Sequence, residues 1–425
     1  MSKPSWYSPL IRSEDWVSVW LGAALIFLTI VGVRPVLPSF SWSAGSPGGL
    51  LSADNVLAAL VLGLLLMALS AAGLRLMGGD VRAYVVGFAV LFGLGWASQM
   101  VAGIPTLKEW GISYVIVSLV VGLVISNLGS VPPWMKEAVR TEYYIKTGLV
   151  ILGSSILFGE ILRAGLFGLG QALLVILVVW RFCYWFCRRI RVDKEFSVIL
   201  ATAVSICGVS AAIAACGAVG GDRKKLSYVT SLVLIVAAPM AIFMPAIAES
   251  VGLAPVVAGA WLGGTIDTSG AVVASGEILG ESALNAAVIV KFSQNALLGL
   301  AAFAISLWWA FRGAGDREER PTAGMIWDRF PKFVLGFMVV SLLFSFLLSP
   351  EVVDATGGLL KGIRTWWFSL AFLCIGLETR FRDLVSMDGG RPAAGFLVAQ
   401  GVNILWTLGV AWLLFGGVLF SVPDL

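Results

Sequence analysis

Apolar residues run in blocks long enough to cross a bilayer from one end of the chain to the other. About 20 apolar residues suffice for one crossing. Blocks of that kind lie near 16–36, 54–74, 83–103, 111–127, 147–160, 165–182, 227–248, 284–310, 333–349, 366–379 and 394–417. They predict an all-α polytopic membrane protein with about eleven transmembrane helices. Two further apolar stretches, 197–221 and 255–280, are interrupted by Gly and Ser and predict broken or re-entrant helical elements. The connections stay short. A Gly/Pro/Ser-rich loop occupies 33–53, and the longest polar insert, 311–332, holds 22 residues, so no soluble domain fits between the spans. The first span is too long, and too weakly basic upstream, to be a cleaved signal peptide.

Composition agrees with this pattern and narrows the chemistry. Of the 425 residues 59% are hydrophobic and 13% charged, whereas a soluble domain is about a quarter charged. Disorder, collagen-like repeats and disulfide scaffolds are excluded on the same numbers. Histidine is absent, which removes Ser-His and Cys-His catalysis, the commonest metal ligand and any histidine proton relay. The five cysteines lie in or at the edge of apolar segments, and Cys183 and Cys187, one helical turn apart, are expected to pack rather than bind metal. No GxxxxGK[ST], HExxH or GxSxG motif occurs, so neither ATP-driven transport within this chain nor a familiar hydrolase site is expected.

Basic residues are sorted by side. With the N-terminus inside, eleven full spans and both broken stretches entering and leaving on one face, five basic residues (Arg34, Lys108, Arg163, Lys361, Arg364) fall outside. Lys291 lies within a span, and the other 23 of the 29 are inside. If the broken stretches crossed fully, the count would be 20 against 8. The positive-inside rule therefore favours hairpins.

The chain also echoes itself. GLVILGSSILFGEI (148–161) pairs with AFLCIGLETRFRDL (371–384) at an offset of 223, placing Gly153 on Gly376. SICGVSAAIAACGAVGG (205–221) pairs with TIDTSGAVVASGEILGE (265–281) at an offset of 60, placing Ile206 on Ile266 and Cys207 on Asp267. The two echoes occur in a different order in the two halves, which a simple tandem duplication does not explain. Opposed broken elements of small residues are nonetheless what inverted-repeat secondary transporters place at the bilayer midplane.

Candidate chemistry gathers at those breaks. A charge at the bilayer centre costs roughly 2.5–3.5 kcal/mol on insertion scales, so Asp267 and Lys291 are functional candidates. Thr265, Thr268 and Ser269 flank Asp267; Ser205, Cys207, Gly208 and Ser210 form the other break; Gln294 follows Lys291 by one turn. Unsatisfied amides at a half-helix end would offer an anion site. Exposed carbonyls there could instead hold Na⁺ beside Asp267; no other metal site is expected. The plainer alternatives are a structural Asp267–Lys291 ion pair and serines bonded to their own helix backbone. Gln171, Gln400 and Asn403 read as interhelical glue, and 131–146 as a short amphipathic helix at the inner surface.

Three of these pieces carry a family resemblance: ICGVSAAIAACGAVGG (206–221), GGTIDTSGAVVASG (263–276) with AAVIVK (286–291), and LCIGLETRFRDL (373–384). Here the sequence resembles the sulfate exporter family of YeiH-like membrane proteins, over roughly 110–417. The resemblance implies a transporter core at 106–425, with broken helices at 197–221 and 255–280, and an extension of spans at 1–105. It also implies a secondary transporter with inverted repeats. The sequence departs from that family where Gly217 replaces an expected proline, Asp267 an expected histidine and Gln294 an expected arginine. Two of these changes alter charge at the expected site.

Together these readings predict a non-enzymatic secondary transporter of a small anion, sulfate-like, ion-coupled or facilitative, working by alternating access between the broken helices. Its coupling ion would be Na⁺ or H⁺, and no cofactor is expected. The expected partners are a small anionic solute and the lipid bilayer, with no nucleic acid; a homodimer is left open. The expected location is the cell inner membrane, multi-pass, with a cytoplasmic N-terminus. The alternatives are a membrane-embedded enzyme and a channel or scaffold.

Overall fold

A computed structural model describes residues 8–40, 42, 50–311, 324–382, 390–423 and 425. Lys3, residues 312–323 of the polar insert, and Asp383 and Leu384 lie outside the described residues, as does most of 41–49 in the first loop. Among the described residues the regular structure is helical. Seven helices are long and apolar enough to cross a membrane: Ala53–Met77, Val81–Ala102, Phe158–Arg189, Arg223–Ser250, Glu281–Phe311, Pro350–Glu378 and Arg391–Phe415. Each holds one of the eleven predicted spans. The other four predicted spans fall on the shorter helices Glu14–Ile30, Tyr114–Leu128, Thr141–Leu152 and Lys332–Leu347. The segment 131–146 differs from its expected form. Pro132 and Pro133 confine it to one 3₁₀ turn at Pro133–Met135, and the regular helix begins only at Thr141.

The chain forms two compact units interleaved in sequence, one from residues 1–158 with 332–378, the other from 159–331 with 379–425. Residue 105 falls inside the first. In that unit small residues let helices meet closely. Ser118 Oγ lies 3.1 Å from Ser369 Oγ, and Ser126 Oγ donates to the Gly376 carbonyl at 2.8 Å. A Cβ on Gly122 would sit 2.9 Å from Gly376 Cα, so Tyr114–Leu128 and Pro350–Glu378 pack backbone to backbone. Arg364, expected outside, is buried in the middle of its helix, with Nη1 3.4 Å from Ser155 Oγ.

The second unit contains both broken elements, and each is a hairpin. In the first, Asp193 caps the helix Lys194–Ser205 by accepting from Phe196 N at 2.9 Å. The chain breaks at 206–208, runs back as Val209–Val219 and stops at left-handed Gly220. The return is fastened to the start: Asp222 N donates to Glu195 Oε1 at 2.6 Å, and Lys225 Nζ pairs with Asp193 at 3.0 Å and Glu195 at 3.3 Å. The two arms therefore enter and leave on one side.

The second hairpin has arms Pro255–Thr265 and Ser269–Leu279. Both arms lie along the helix Glu281–Ala296. A Cβ on Gly259, near the start of the first arm, would sit 2.9 Å from Ala283 Cα; one on Gly276, near the end of the second, would sit 2.8 Å from Leu284 Cα. Start and end thus stand at one level. Arms of 11 or 12 residues are about 17 Å long, roughly half the hydrocarbon thickness. Between the hairpins runs Arg223–Ser250, whose 28 residues span about 42 Å. The hairpins are therefore rooted at opposite ends of a crossing helix and point toward each other. Charge follows the same division: seven basic residues between Arg188 and Lys225 surround the first root, and no Lys or Arg occurs between Lys225 and Lys291.

Candidate functional site

The two hairpin tips meet at one lysine. Lys291, 1% exposed, donates from Nζ to the Ile206 carbonyl at 2.7 Å, the Ile266 carbonyl at 2.8 Å and Gln294 Oε1 at 3.2 Å. An ammonium has three hydrogens, and three oxygens take them. Ile206 and Ile266 are the residues superposed by the offset of 60, and they do the same work at the two tips. Gly208 brings the tips into contact. Its φ of 58° and ψ of −105° suit a residue without a side chain, and a Cβ there would lie 3.2 Å from Asp267 Cβ.

A second side chain also bridges the hairpins. Asn403 Nδ2 donates to the Val204 carbonyl at 3.1 Å and the Thr265 carbonyl at 3.2 Å, while Thr407 Oγ1 donates to Asn403 Oδ1 at 2.8 Å and holds the amide in that sense. Gln400 Nε2 adds a bond to the Thr265 carbonyl at 2.9 Å, and Gln294 Nε2 one to the Gly264 carbonyl at 3.0 Å. Ala203 O accepts from Gly208 N at 3.0 Å. The carbonyl ends of the helices Lys194–Ser205 and Pro255–Thr265 are thus capped at Ala203, Val204, Ile206, Gly264, Thr265 and Ile266. This is what non-helical backbone at membrane depth requires.

The amide ends are treated differently. Val209–Val219 begins at Gly208, which has no side chain to cap it. Ser269–Leu279 has one cap, Thr268 Oγ1 accepting from Ala271 N at 3.3 Å. The first amides of any helix have no partner within it. Two helix N-termini, each carrying about half a positive charge, therefore start at the tips with most of their donors uncommitted.

Around them are buried oxygens without a hydrogen-bond partner among the described residues: Asp267 Oδ2, Thr265 Oγ1, Gln400 Oε1 and Asn295 Oδ1. Of the remaining predicted residues, Ser205 donates to its own helix at the Ala201 carbonyl, 2.7 Å away, as backbone-bonded serines do. Cys207 is buried at the first tip, and Ser210 is exposed one step into the return arm. Ser269 Oγ accepts from Asn295 Nδ2 at 3.3 Å. Cys183 and Cys187 lie with their sulfurs 4.0 Å apart in an apolar core. Gln171 does act between helices, donating to the Ala260 carbonyl at 2.7 Å.

Sequence reasoning treats Gln400 and Asn403 as glue and notes Asn295 after Lys291 without giving it a role. The available signal was spacing: Gln400, Asn403 and Thr407 fall at i, i+3 and i+7, a polar stripe on an otherwise apolar helix.

A family model described as conserved hypothetical protein 698 matches residues 86–394. A UPF0324 membrane protein of Rhodopirellula baltica is 40% identical over 362 residues, which cover 83% of this chain and 67% of that protein. One from Nitratidesulfovibrio vulgaris is 38% identical over 81% of this chain, and this chain spans only 62% of its length. A third, from Nitrosomonas europaea, is 28% identical, with 97% of this chain and 98% of the relative covered. No solved structure matches the chain. With 309 of its 425 residues inside the family model's span and 40% identity to the first of these relatives, the chain belongs to the UPF0324 family of membrane proteins.

Proposed function

We propose that the chain is a secondary transporter of a small anion, which it binds at mid-membrane between the two hairpin tips. The observation that carries this reading is the asymmetry of the helix ends. Lys291, Gln294, Gln400 and Asn403 occupy the carbonyl ends, while the amide ends at Val209 and Ser269 keep free donors. An anion is the ligand that such ends receive, because N–H groups and the dipole both favour negative charge. Hairpins rooted on opposite faces give the site a route to either side, as alternating access needs. The motif resemblance to YeiH-like sulfate exporters agrees and places sulfate among the first solutes to test. The positive-inside count supports a first root and an N-terminus on the cytoplasmic side of a cell inner membrane.

Asp267 sets a condition on this function. Asp267 stands at the tips, its Cβ 3.2 Å from where a Cβ on Gly208 would lie, one residue before the helix Val209–Val219 begins. Two anions in one small buried site repel strongly, and Lys291 at the same tips offsets only one negative charge, so loading favours a second cation beside Asp267. Reconstituted protein in liposomes, screened against sulfate, sulfite, bicarbonate and small carboxylates with and without Na⁺ and a pH gradient, tests the reading. Saturable flux of at least one anion, lost in Asp267→Asn without loss of thermal stability, is expected. Absence of flux for every anion under every gradient would refute it.

A further inference from the structure

Deepening the transporter reading above, we propose that the tip of the second hairpin binds one sodium ion through Asp267 Oδ2, Thr265 Oγ1, Gln400 Oε1 and Asn295 Oδ1. Each of these residues is more than nine-tenths buried, and each named oxygen lacks a hydrogen-bond partner among the described residues. Leaving one such group unmade costs about 1–3 kcal/mol, so four around one tip call for an occupant.

Hydrogen bonds and chain proximity bring the four to one segment. Thr265 and Asp267 are two residues apart on the tip. Gln400 Nε2 is bonded to the Thr265 carbonyl, and Asn295 Nδ2 to Ser269 Oγ, two residues beyond Asp267. In a carboxamide the oxygen and nitrogen share one carbon, so both amide oxygens lie beside the segment 265–269. The sense of Gln400 is fixed, because a carbonyl can only accept and the nitrogen must face it.

The chemistry of the missing partner follows from what is already spent. The neighbouring donors are committed to carbonyl ends: Lys291 at Ile206 and Ile266, Asn403 at Val204 and Thr265. What remains is a set of acceptors, one of them a carboxylate. A single proton on Asp267 would supply one donor and leave the other oxygens unpaired. A hard monovalent cation takes several oxygens at once, and carboxylate, hydroxyl and amide oxygens are the ligands it prefers. Sodium at this point adds to Lys291 in offsetting the charge of Asp267, which lowers the repulsion that an anion at the amide ends of Val209 and Ser269 would meet. Ion and anion then load together, and the coupling is electrostatic.

The test uses the full chain in lipid nanodiscs, titrated with sodium chloride against choline chloride and read by tryptophan fluorescence and calorimetry. Trp261, on the arm Pro255–Thr265, donates from Nε1 to the Ile404 carbonyl of the helix Arg391–Phe415 at 2.8 Å and is a reporter built into the hairpin. A saturable response to Na⁺, absent with choline and absent in Asp267→Asn, is expected. Thr265→Val should weaken the apparent affinity by about ten-fold or more, and Thr265→Ser should restore it. Melting temperatures are followed for each variant, and Asn295→Leu serves as a second probe if Thr265→Val does not fold. A wild-type response equal in Na⁺ and choline overturns the sodium site, as does unchanged affinity in Thr265→Val. The two readings separate in the flux assay: anion flux driven by a pH gradient and indifferent to Na⁺ removes the sodium site and leaves the transporter. Sodium binding without any anion flux does the reverse.

Discussion

Gly208 and Asp267, on different hairpins, stand so close that a Cβ on the glycine would lie 3.2 Å from the aspartate Cβ and 2.5 Å from Val233 Cγ1. The contact fixes the spacing of the two tips at Asp267. Gly208→Ala meets two penalties, the crowding and a backbone at φ 58° and ψ −105° that costs a side-chain-bearing residue about 1–3 kcal/mol. We expect a lower melting temperature and loss of most anion flux in liposomes. A variant with wild-type flux would mean that the tips do not need this contact.

Lys291 supplies the second relationship. Lys291→Met keeps the apolar stem and removes the ammonium, stranding the carbonyls of Ile206 and Ile266 at a cost of about 1–3 kcal/mol each. Lys291→Arg keeps the charge, but a planar guanidinium cannot direct three hydrogens at three oxygens around one point, so it should not rescue. Thermal unfolding in detergent, with flux measured on the folded fraction, is the check. Equal stability of Lys291→Arg and wild type would show that charge alone suffices.

Asn403 offers a test of sense rather than size. It must donate to Val204 O and Thr265 O, and it accepts from Thr407. Asn403→Asp places a carboxylate against two carbonyls, so it should be more damaging than Asn403→Ala, although it is the closer match in shape. Thr407→Val should act in the same direction and more weakly, because it frees the amide to turn. Asn403→Ala combined with Lys291→Met should cost less than the sum of the two, since both side chains clamp the same tips. Strict additivity in unfolding measurements would argue against a shared clamp.

Much of this was legible in the sequence, for reasons that particular residues make plain. The hairpins were readable because Arg223, Lys224 and Lys225 are mobile counters in the positive-inside sum, and only a returning chain keeps them inside. Asp267 and Lys291 stood out because charge is rare in apolar helices. Periodicity stopped short at Gln400 and Asn403: it shows a polar stripe, and a stripe does not name its partner. The sorting of helix ends into capped and open was hidden too, since it depends on which carbonyl each donor reaches across 25 to 199 residues of chain. Arg364 was misplaced because hydropathy treats an arginine as the edge of a span, whereas the folded helix buries it.

The opposed roots make a last prediction that requires no substrate. Lys224 and Ser250 are exposed at the two ends of the helix Arg223–Ser250, one beside each hairpin root. The five native cysteines are buried, so a single introduced thiol should dominate labelling by a membrane-impermeant maleimide. In intact cells Ser250→Cys should label, and Lys224→Cys should label only after the membrane is opened. The positive-inside rule expects the basic residues around the first root to keep that end in the cytoplasm, and their absence between Lys225 and Lys291 to let the other end cross. Labelling of both positions from the same side would break the opposed geometry, and with it the route to both faces that the proposed transporter needs.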